Sequence, residues 1–402
     1  MEHVVVIGAG QAGFSLAAKL RSEGHQGRIT LIGDEPEPPY QRPPLSKKYL
    51  LGEMEKERLY FRPPAFYAEQ GIELRLGCTV EAVDPAARTV SLGGETIGWD
   101  ALAICTGAEP VTLPEAQGGL LGGVYTIRKL ADIDACEGEF RPGRRLVVLG
   151  GGYVGLEAAA VARSKGLEVV LLQRSERILR RVAAAETAAF IHALHESRGV
   201  EIRVNAPIAR LTGAGRVDGV ALEDGSHVPA DFVIAGIGAN CVPHLAVEAG
   251  LSVAGGILVD DFGRTSAPGI WAAGDCTEFP FRGAPTRLES VQNAVDQAEA
   301  VAVNMLGAEK PYRPAPWFWS DQYDLALQIA GYGRGHDRVI QRAGAREGAR
   351  SHWYYAGDTL LACDAMNDPR AYMTAKRLIE SGRSPDPALV ADPSVELKTL
   401  LR

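Results

Sequence analysis

The stretch Gly8-Ala9-Gly10-Gln11-Ala12-Gly13 follows an apolar, β-branched run, Val4–Ile7, and precedes residues with helical spacing. In such a pattern the first glycine makes a tight turn, the second lets the backbone approach a pyrophosphate, and the third lets a helix pack closely on a strand. The diphosphate would rest on the N-terminus of the helix, where free N–H groups and the helix dipole favour an anion. The stretch therefore predicts a strand–turn–helix unit that binds a dinucleotide.

A carboxylate that binds the ribose is expected about 20 residues beyond these glycines. The run Ile29–Ile32 is typical of a second strand, and it ends at Gly33-Asp34-Glu35. Asp34 and Glu35 are therefore the candidates for binding the ribose of the first dinucleotide.

A second fingerprint, Gly150-Gly151-Gly152-Tyr153-Val154-Gly155, stands between the strand-like run Leu146–Leu149 and another helical stretch. The two fingerprints lie too far apart for a solenoid repeat and indicate a duplicated domain. Two dinucleotide sites in one chain suggest that a hydride donor at the second site reduces a redox-active dinucleotide at the first.

The ribose position of the second unit carries Gln173, followed by Arg174, where an NAD site would have a carboxylate. An arginine here can instead receive the extra phosphate of NADP. Arg174 can equally be a solvated turn residue. We expect NADH as the donor, with NADPH as the alternative.

Two further motifs resemble those of flavoprotein reductases with two dinucleotide sites. Cys105-Thr106-Gly107-Ala108-Glu109-Pro110 resembles their ATGxxP turn, with cysteine in place of the usual alanine. The segment that ends in Ala272-Ala273-Gly274-Asp275 resembles their second FAD motif. In that motif the aspartate accepts hydrogen bonds from the ribityl chain of FAD, and this role falls on Asp275, because a charged acceptor is the stronger one.

Over nearly its whole length the sequence is similar to the ferredoxin reductases of bacterial oxygenase systems. The segments that carry this resemblance are Arg42-Pro43-Pro44-Leu45-Ser46-Lys47, Gly150–Glu157 (GGGYVGLE), Ile234–Gly238 (IAGIG) and Trp317–Tyr323 (WFWSDQY). The resemblance implies an α/β fold with two Rossmann-like, glutathione-reductase-like dinucleotide-binding domains and a C-terminal α+β domain that covers the flavin. The implied boundaries are 1–110 with 239–310 for FAD, 111–238 for NAD(P), and 311–402.

The resemblance also assigns site residues by position. The residues expected to contact FAD, besides the first glycine turn, are Ala12, Asp34, Arg42, Lys47, Val80, Arg128, Asp275 and Val291. Trp319 is expected beside the isoalloxazine, and Lys47 and Glu157 are expected to flank the flavin–nicotinamide contact as an ion pair. The alternatives are surface charges at Arg42 and Lys47, an ordinary helix carboxylate at Glu157, and a core tryptophan at Trp319.

Cysteine positions limit the mechanism. The six cysteines include no CxxC pair, so neither a local dithiol nor a zinc site is indicated, and we expect no metal. No cysteine stands between Met1 and Gly77, where related disulfide reductases and peroxidases carry theirs. The remaining route is outer-sphere transfer of single electrons to an external carrier, since flavins couple two-electron to one-electron chemistry.

The motifs and the family resemblance together imply an FAD-containing, NADH-dependent reductase of a [2Fe-2S] ferredoxin that supplies a monooxygenase or dioxygenase. Reduction of another acceptor (rubredoxin, oxygen or a quinone) is the enzymatic alternative, and a redox-sensing binding protein is the non-enzymatic one. Arginines recur every fourth residue from Arg334 to Arg350; they are either a docking face for an acidic ferredoxin or solvated loop charges.

The net charge of −8 disfavours binding to nucleic acid or to anionic membranes. No signal peptide and no apolar run of membrane-spanning length is evident, so we expect a cytoplasmic protein. No apolar helical stripe indicates a subunit interface, and we expect a monomer.

Overall fold

The computed structural model describes residues 1–402. The chain forms two compact units, each assembled from separate stretches of sequence. The first unit comprises Met1–Gln41, Glu55–Glu109 and Ala239–Pro316, and the second comprises Arg42–Met54, Pro110–Gly238 and Trp317–Arg402.

The α-helices are distributed along the whole chain. They are α1 (Gln11–Ser22), α2 (Lys48–Leu51), α3 (Pro64–Glu69), α4 (Leu130–Cys136), α5 (Tyr153–Ser164), α6 (Ala185–Ser197), α7 (His244–Glu248), α8 (Val291–Met305), α9 (Pro369–Glu380) and α10 (Pro387–Ala391). None of them is both long and apolar enough to span a lipid bilayer.

The strands are short, as is usual where many turns separate them. They are β1 (His3–Ile7), β2 (Arg28–Ile32), β3 (Ile72–Arg75), β4 (Ala82–Asp84), β5 (Thr89–Leu92), β6 (Glu95–Gly98), β7 (Ala101–Ile104), β8 (Ala108–Pro110), β9 (Val124–Tyr125), β10 (Arg145–Leu149), β11 (Glu168–Leu172), β12 (Val200–Arg203), β13 (Ile208–Thr212), β14 (Gly219–Leu222), β15 (His227–Pro229), β16 (Phe232–Ala235), β17 (Ala239–Cys241), β18 (Ile257–Leu258), β19 (Ile270–Ala272), β20 (Thr277–Phe281), β21 (Ala284–Thr286), β22 (Trp317–Gln322), β23 (Leu325–Gly331), β24 (Arg338–Ala343), β25 (Arg350–Ala356) and β26 (Thr359–Met366).

A parallel sheet in the order β19–β7–β1–β2–β3 organises the first unit. The residues Val4–Val6 of β1 are completely buried, as expected for a central parallel strand covered on both faces. Leu16 and Leu20 of α1 and Val301 of α8 belong to the core that covers this sheet. Because all its strands run the same way, their carboxyl ends meet at one edge, where ligands bind in such folds.

A second parallel sheet, in the order β12–β11–β10–β16–β9, lies in the second unit. Helix α5 follows β10, and residues Gly155–Ala162 of this helix are buried almost without interruption. A helix that is apolar and small on most of its surface must be enclosed on several sides, so α5 is an internal element of the unit.

The C-terminal part of the second unit is an antiparallel sheet in the order β22–β23–β26–β25–β24. Helix α9 covers this sheet and contributes Ala371 and Leu378 to a core shared with Trp353. Its N-terminus is capped by Asp368, whose carboxylate accepts a hydrogen bond from the Ala371 amide at 3.1 Å.

Residues Arg42–Met54 belong to the second unit, although they follow the first two strands of the first unit in sequence. The ammonium group of Lys165 on α5 donates to the carbonyls of Leu50 and Leu51 at 3.2 Å each. The hydroxyl of Tyr49 donates to the carboxylate of Asp134 at 2.9 Å. These bonds fix the segment that carries Lys47 against α5 and α4.

The predicted fold class is confirmed: each glycine fingerprint joins a strand of a parallel sheet to a helix, and an antiparallel α+β part follows. The boundaries of the three domains, at 1–110 with 239–310, at 111–238 and at 311–402, stay a prediction.

Candidate functional site

The first glycine turn follows β1 and requires glycine at two positions. Gly8 has φ +105°, and a Cβ added there would lie 2.2 Å from the carbonyl oxygen of Cys105. A Cβ added to Gly13 would lie 1.9 Å from the carbonyl oxygen of Gly8. Backbone sterics therefore fix both residues, and they bring the start of α1 against the end of β1.

Gly10 differs from these two residues, because neither its conformation nor its protein neighbours require glycine. Its φ is −86°, and a Cβ added there would meet no protein atom within 4 Å. The space beside it is thus open at the N-terminus of α1, where backbone N–H groups attract an anion. This is what the approach of a pyrophosphate requires, and the turn fits the dinucleotide that the sequence predicts.

The predicted ribose carboxylates stand directly after β2. Asp34 is exposed, and Glu35 accepts a hydrogen bond from the hydroxyl of Tyr40 at 2.5 Å. Amides of the segment that precedes Val80 pair with this turn: Cys78 N–H donates to the carbonyl of Gly33 at 2.9 Å. The predicted contact residue Val80, which is buried, is held near the same turn.

Asp275 follows β19, on the other side of the same sheet edge. The preceding Gly274 has φ +87°, and its amide donates to the Gln297 side chain of α8 at 2.8 Å. A Cβ on Gly274 would lie 3.0 Å from the Cβ of Ala12. The structure therefore brings Ala12, the Asp275 turn and the N-terminal half of α8, which begins at Val291, close together.

The second glycine turn repeats the geometry of the first. Gly150 has φ +96°, and a Cβ added to Gly155 would lie 2.3 Å from the carbonyl oxygen of Gly150. Gly152, like Gly10, has no protein atom within 4 Å of an added Cβ. Both turns therefore leave room for a ligand at the middle glycine, which is consistent with two bound dinucleotides.

Gln173 lies at the carboxyl end of β11, with its side chain directed into the second turn. Its Oε1 accepts a hydrogen bond from the Gly151 amide at 2.8 Å, and its Nε2 donates to the hydroxyl of Ser175. Arg174 is exposed.

Arg42 and Arg128, two of the predicted FAD contacts, touch each other. The guanidinium of Arg42 donates to the Arg128 carbonyl at 2.7 Å. The amide of Arg128 in turn donates to the Asp132 carboxylate of α4 at 2.8 Å. These two hydrogen bonds hold Arg42 and Arg128 next to each other, at the start of α4 in the second unit.

Lys47 and Glu157 form the ion pair that the family resemblance implies. The ammonium group of Lys47 donates to Oε2 of Glu157 at 2.7 Å, and the side chain of Glu157 is only 4% exposed. Two hydroxyls complete the set: Ser46 donates to Oε2 at 2.5 Å and Ser320 donates to Oε1 at 2.7 Å. Three donors therefore compensate the buried negative charge, which would be costly without them.

A buried chain of hydrogen bonds extends from Glu157 to helix α6. Gln322 Nε2 donates to the Ser320 hydroxyl at 3.1 Å, and the ring of His195 on α6 bonds Gln322 Oε1 at 2.7 Å. Burial lowers the pKa of His195 to about 4. The imidazole is therefore neutral at neutral pH and donates through Nε2. The chain fixes β22, the strand that carries Trp319, against α5 and α6.

Trp319 is half buried. Its ring lies 5.4 Å from that of Trp317, and the intervening Phe318 packs on Tyr153 at 4.9 Å. Side chains alternate along a strand, so Ser320 and Gln322 face the buried chain while Trp319 lies on the opposite face.

None of the cysteines forms a disulfide bond, and four are buried: Cys105, Cys136, Cys276 and Cys363. Burial raises the pKa of all four thiols, to about 11 for Cys276 and to about 12 for Cys136. A reactive cysteine needs a lowered pKa, so these residues are unsuited to thiol chemistry.

The arginines between Arg334 and Arg350 do not share one role. Arg342 is buried and donates to carbonyls of the C-terminal segment, including that of Val395 at 2.6 Å. Arg350 lies over the ring of Phe190 at 4.6 Å, whereas Arg334 and Arg346 are exposed. Arg342 is thus a structural residue of the C-terminal part.

The sequence analysis missed Ser46, Ser320, Gln322 and His195. The first three lie inside the motifs quoted for the resemblance, RPPLSK and WFWSDQY. The alternation of Phe318, Ser320 and Gln322 on one face of a strand was a usable signal, but His195 had none.

Comparison with known proteins agrees with these observations. Residues 2–298 match the pyridine nucleotide-disulphide oxidoreductase family, and residues 317–401 match the reductase C-terminal family. The chain belongs to the pyridine nucleotide-disulphide oxidoreductase family. It is an oxidoreductase that uses FAD and NAD(P)H.

Several relatives are similar over their full length. A ferredoxin–NAD(P)+ reductase of a Sphingomonas species is 41% identical, across 99% of this chain and 97% of the relative. Putidaredoxin reductase of Pseudomonas putida is 39% identical, across 100% and 97%. The crystal structure of a covalent putidaredoxin reductase–putidaredoxin complex matches 100% of this chain and 98% of that one, with a TM-score of 0.96 and 39% identity. The resemblance to ferredoxin reductases of oxygenase systems is confirmed.

Proposed function

We propose that this protein passes electrons from NAD(P)H, through FAD, to a [2Fe-2S] ferredoxin that supplies a monooxygenase or a dioxygenase. The observation that carries the proposal is the presence of two dinucleotide turns in a chain whose cysteines are all free. Without a dithiol relay, electrons would pass directly from the flavin to an external acceptor. Full-length relatives named as reductases of ferredoxins, including putidaredoxin, support a ferredoxin as that acceptor.

When bound, FAD supplies the acceptance of a hydride and the release of single electrons. The protein contributes binding and orientation. In the first unit we propose Gly8, Gly10, Ala12, Gly13, Asp34, Glu35, Val80, Asp275 and Val291 as FAD contacts. In the second unit we propose Arg42, Lys47, Arg128 and Trp319 as FAD contacts, and Gly150, Gly152, Gly155, Gln173 and Arg174 as nicotinamide-nucleotide contacts.

The Lys47–Glu157 pair has an orienting role in this proposal. The three hydrogen bonds to Glu157 hold its carboxylate, and the pair holds the Lys47 ammonium group in one position. A fixed cation can orient a flavin and a nicotinamide ring without itself exchanging a proton. Trp319, half buried beside Trp317, is proposed to cover the isoalloxazine.

The test is a stopped-flow experiment on the FAD-loaded protein. NADH or NADPH should bleach the flavin spectrum under anaerobic conditions, and oxidised [2Fe-2S] ferredoxin from the same source should restore it. Flavin that is not bleached by either nucleotide would support a redox-sensing binding protein. Bleached flavin that rubredoxin, oxygen or a quinone reoxidises faster than ferredoxin does would contradict ferredoxin as the acceptor.

We further propose a cytoplasmic monomer. The exposed large apolar side chains, such as Leu120, Val182 and Met373, are scattered along the sequence. Light scattering of the FAD-loaded protein at micromolar concentration tests the oligomeric state; the molar mass of a dimer would contradict the proposed monomer.

A further inference from the structure

We propose that the second nucleotide site favours the 2′-phosphorylated nicotinamide nucleotide, NADPH, and that Arg174 is the residue that selects it. This inference rests on the proposed use of the second glycine turn by the nicotinamide nucleotide. It departs from our expectation of NADH, and it rests on the charges around the carboxyl end of β11.

The ribose position of the second nucleotide site lacks a carboxylate. A carboxylate there binds the two ribose hydroxyls and repels a 2′-phosphate through its charge. Gln173 carries no charge, and both ends of its amide are already used, by the Gly151 amide and by the Ser175 hydroxyl. The position therefore offers neither the ribose acceptor that favours NAD nor the repulsion that excludes NADP.

Backbone hydrogen bonds fix the position of Gln173. Its amide donates to the Arg203 carbonyl at 2.8 Å, and its carbonyl accepts from the Ala206 amide at 3.0 Å. Gln173 therefore cannot move away from the turn without breaking bonds to the neighbouring segment. Arg174 follows it directly, beside the place where the ribose must lie.

The segment that contains Arg174 carries a net positive charge. The nine residues from Gln173 to Arg181 contain four arginines and one carboxylate, Glu176. Arg180 pairs with Glu176 at 2.9 Å, and the guanidinium of Arg177 donates to the carbonyls of Ile178 and Arg180 at 3.3 Å each. Arg174 is exposed and makes no hydrogen bond or ion pair within the protein. Its planar guanidinium is suited to bidentate binding of a phosphate.

The test measures binding without turnover. FAD-loaded protein is titrated in a calorimeter with adenosine 2′,5′-bisphosphate and, separately, with 5′-AMP, which lacks only the 2′-phosphate. We expect the bisphosphate to bind about tenfold more tightly, as one charge-assisted contact supplies. In Arg174→Ala this advantage should disappear. In Gln173→Glu it should reverse.

Arg210→Ala is the matched control, because Arg210 is an equally exposed arginine on β13, in a different sheet of the same unit. It should leave both affinities unchanged. Equal affinities of the wild-type protein for the two ligands would overturn the proposal, as would an equal loss of both in Arg174→Ala. No ferredoxin takes part in this experiment, so the ratio of the two ligand affinities can be measured even if the protein does not reduce ferredoxin. Conversely, if the two ligands bind equally, electron transfer to ferredoxin can still be tested with NADH.

Discussion

At the scale of single residues, the main feature is the hydrogen bonding of Glu157. Its two carboxylate oxygens accept bonds from Ser46, Lys47 and Ser320 while the side chain is almost wholly buried. Glu157→Gln replaces one acceptor oxygen by a donor and leaves the Lys47 charge without its counterion. Removing one partner of a buried ion pair costs on the order of 3 kcal/mol.

We therefore expect Glu157→Gln to lower the free energy of unfolding of the FAD-loaded protein by about 3 kcal/mol in urea titrations. Glu168→Gln is the control, because Glu168 is exposed at the start of β11, and a change there should stay within about 0.5 kcal/mol. Equal stabilities of the two variants would contradict the structural role assigned to the cluster.

His195 predicts a dependence of stability on pH. Burial lowers its pKa from 6.5 to about 4, so the unfolded chain binds a proton between these values and the folded chain does not. Stability is therefore fully present above pH 6.5 and is lost as the pH falls towards 4. His352, whose pKa burial also lowers to about 4, acts in the same direction. Asp364, whose pKa burial raises to about 6, opposes them.

The free energy of unfolding should fall less from pH 7 to pH 5 in His195→Gln than in the wild-type protein. We expect the two falls to differ by about 2 kcal/mol. Urea titrations at the two pH values measure it. His244→Gln, at an exposed histidine, should keep the wild-type pH dependence. If His195→Gln keeps it as well, His195 is not the group responsible.

At the scale of secondary-structure elements, different glycines of one turn serve ligand binding and the packing of helix on strand. Gly152 and Gly155 stand three residues apart at the start of α5, yet an added Cβ meets nothing at the first and lies 2.3 Å from the Gly150 carbonyl oxygen at the second. Gly152→Ala should therefore fold with nearly unchanged stability and lose nucleotide binding, because the methyl group occupies the space that a pyrophosphate needs.

Gly155→Ala should instead destabilise the protein by about 2 kcal/mol or more, because helix and strand must separate. Urea titration and calorimetry with NADP+, which carries the diphosphate, distinguish the two variants. Unchanged nucleotide affinity in Gly152→Ala would contradict the placement of the diphosphate.

The parts of this architecture that are local in sequence are the ones that the sequence predicts. A glycine turn and the strand and helix beside it are encoded within about 30 residues, so both nucleotide units could be identified. The partners of Glu157 could not, because Ser46 and Ser320 stand 111 and 163 positions away from it. Such contacts depend on how the chain folds back on itself; only the family resemblance paired Lys47 with Glu157. His195 lies 127 positions from Gln322 and was not predictable.

At the scale of the whole molecule, the distribution of cysteines determines how many electrons the protein stores. Four thiols are buried with raised pKa values, and the half-buried Cys78 and Cys241 donate to the carbonyls of Leu76 and Gly255 at 3.3 Å and 3.1 Å. No disulfide bond is present to act as a second two-electron centre. In an anaerobic titration with dithionite, the protein should therefore take up two electrons per bound flavin before bleaching is complete.

A flavoprotein with an active disulfide would take up four electrons instead, because its dithiol stores a second pair. Treatment with iodoacetamide before the titration is the control, and it should change neither the stoichiometry nor bleaching by NAD(P)H, since no thiol lies on the route of the electrons. Uptake of four electrons would place a cysteine pair on that route, and loss of bleaching after alkylation would place a free thiol there. Direct transfer from flavin to an external acceptor would then be wrong.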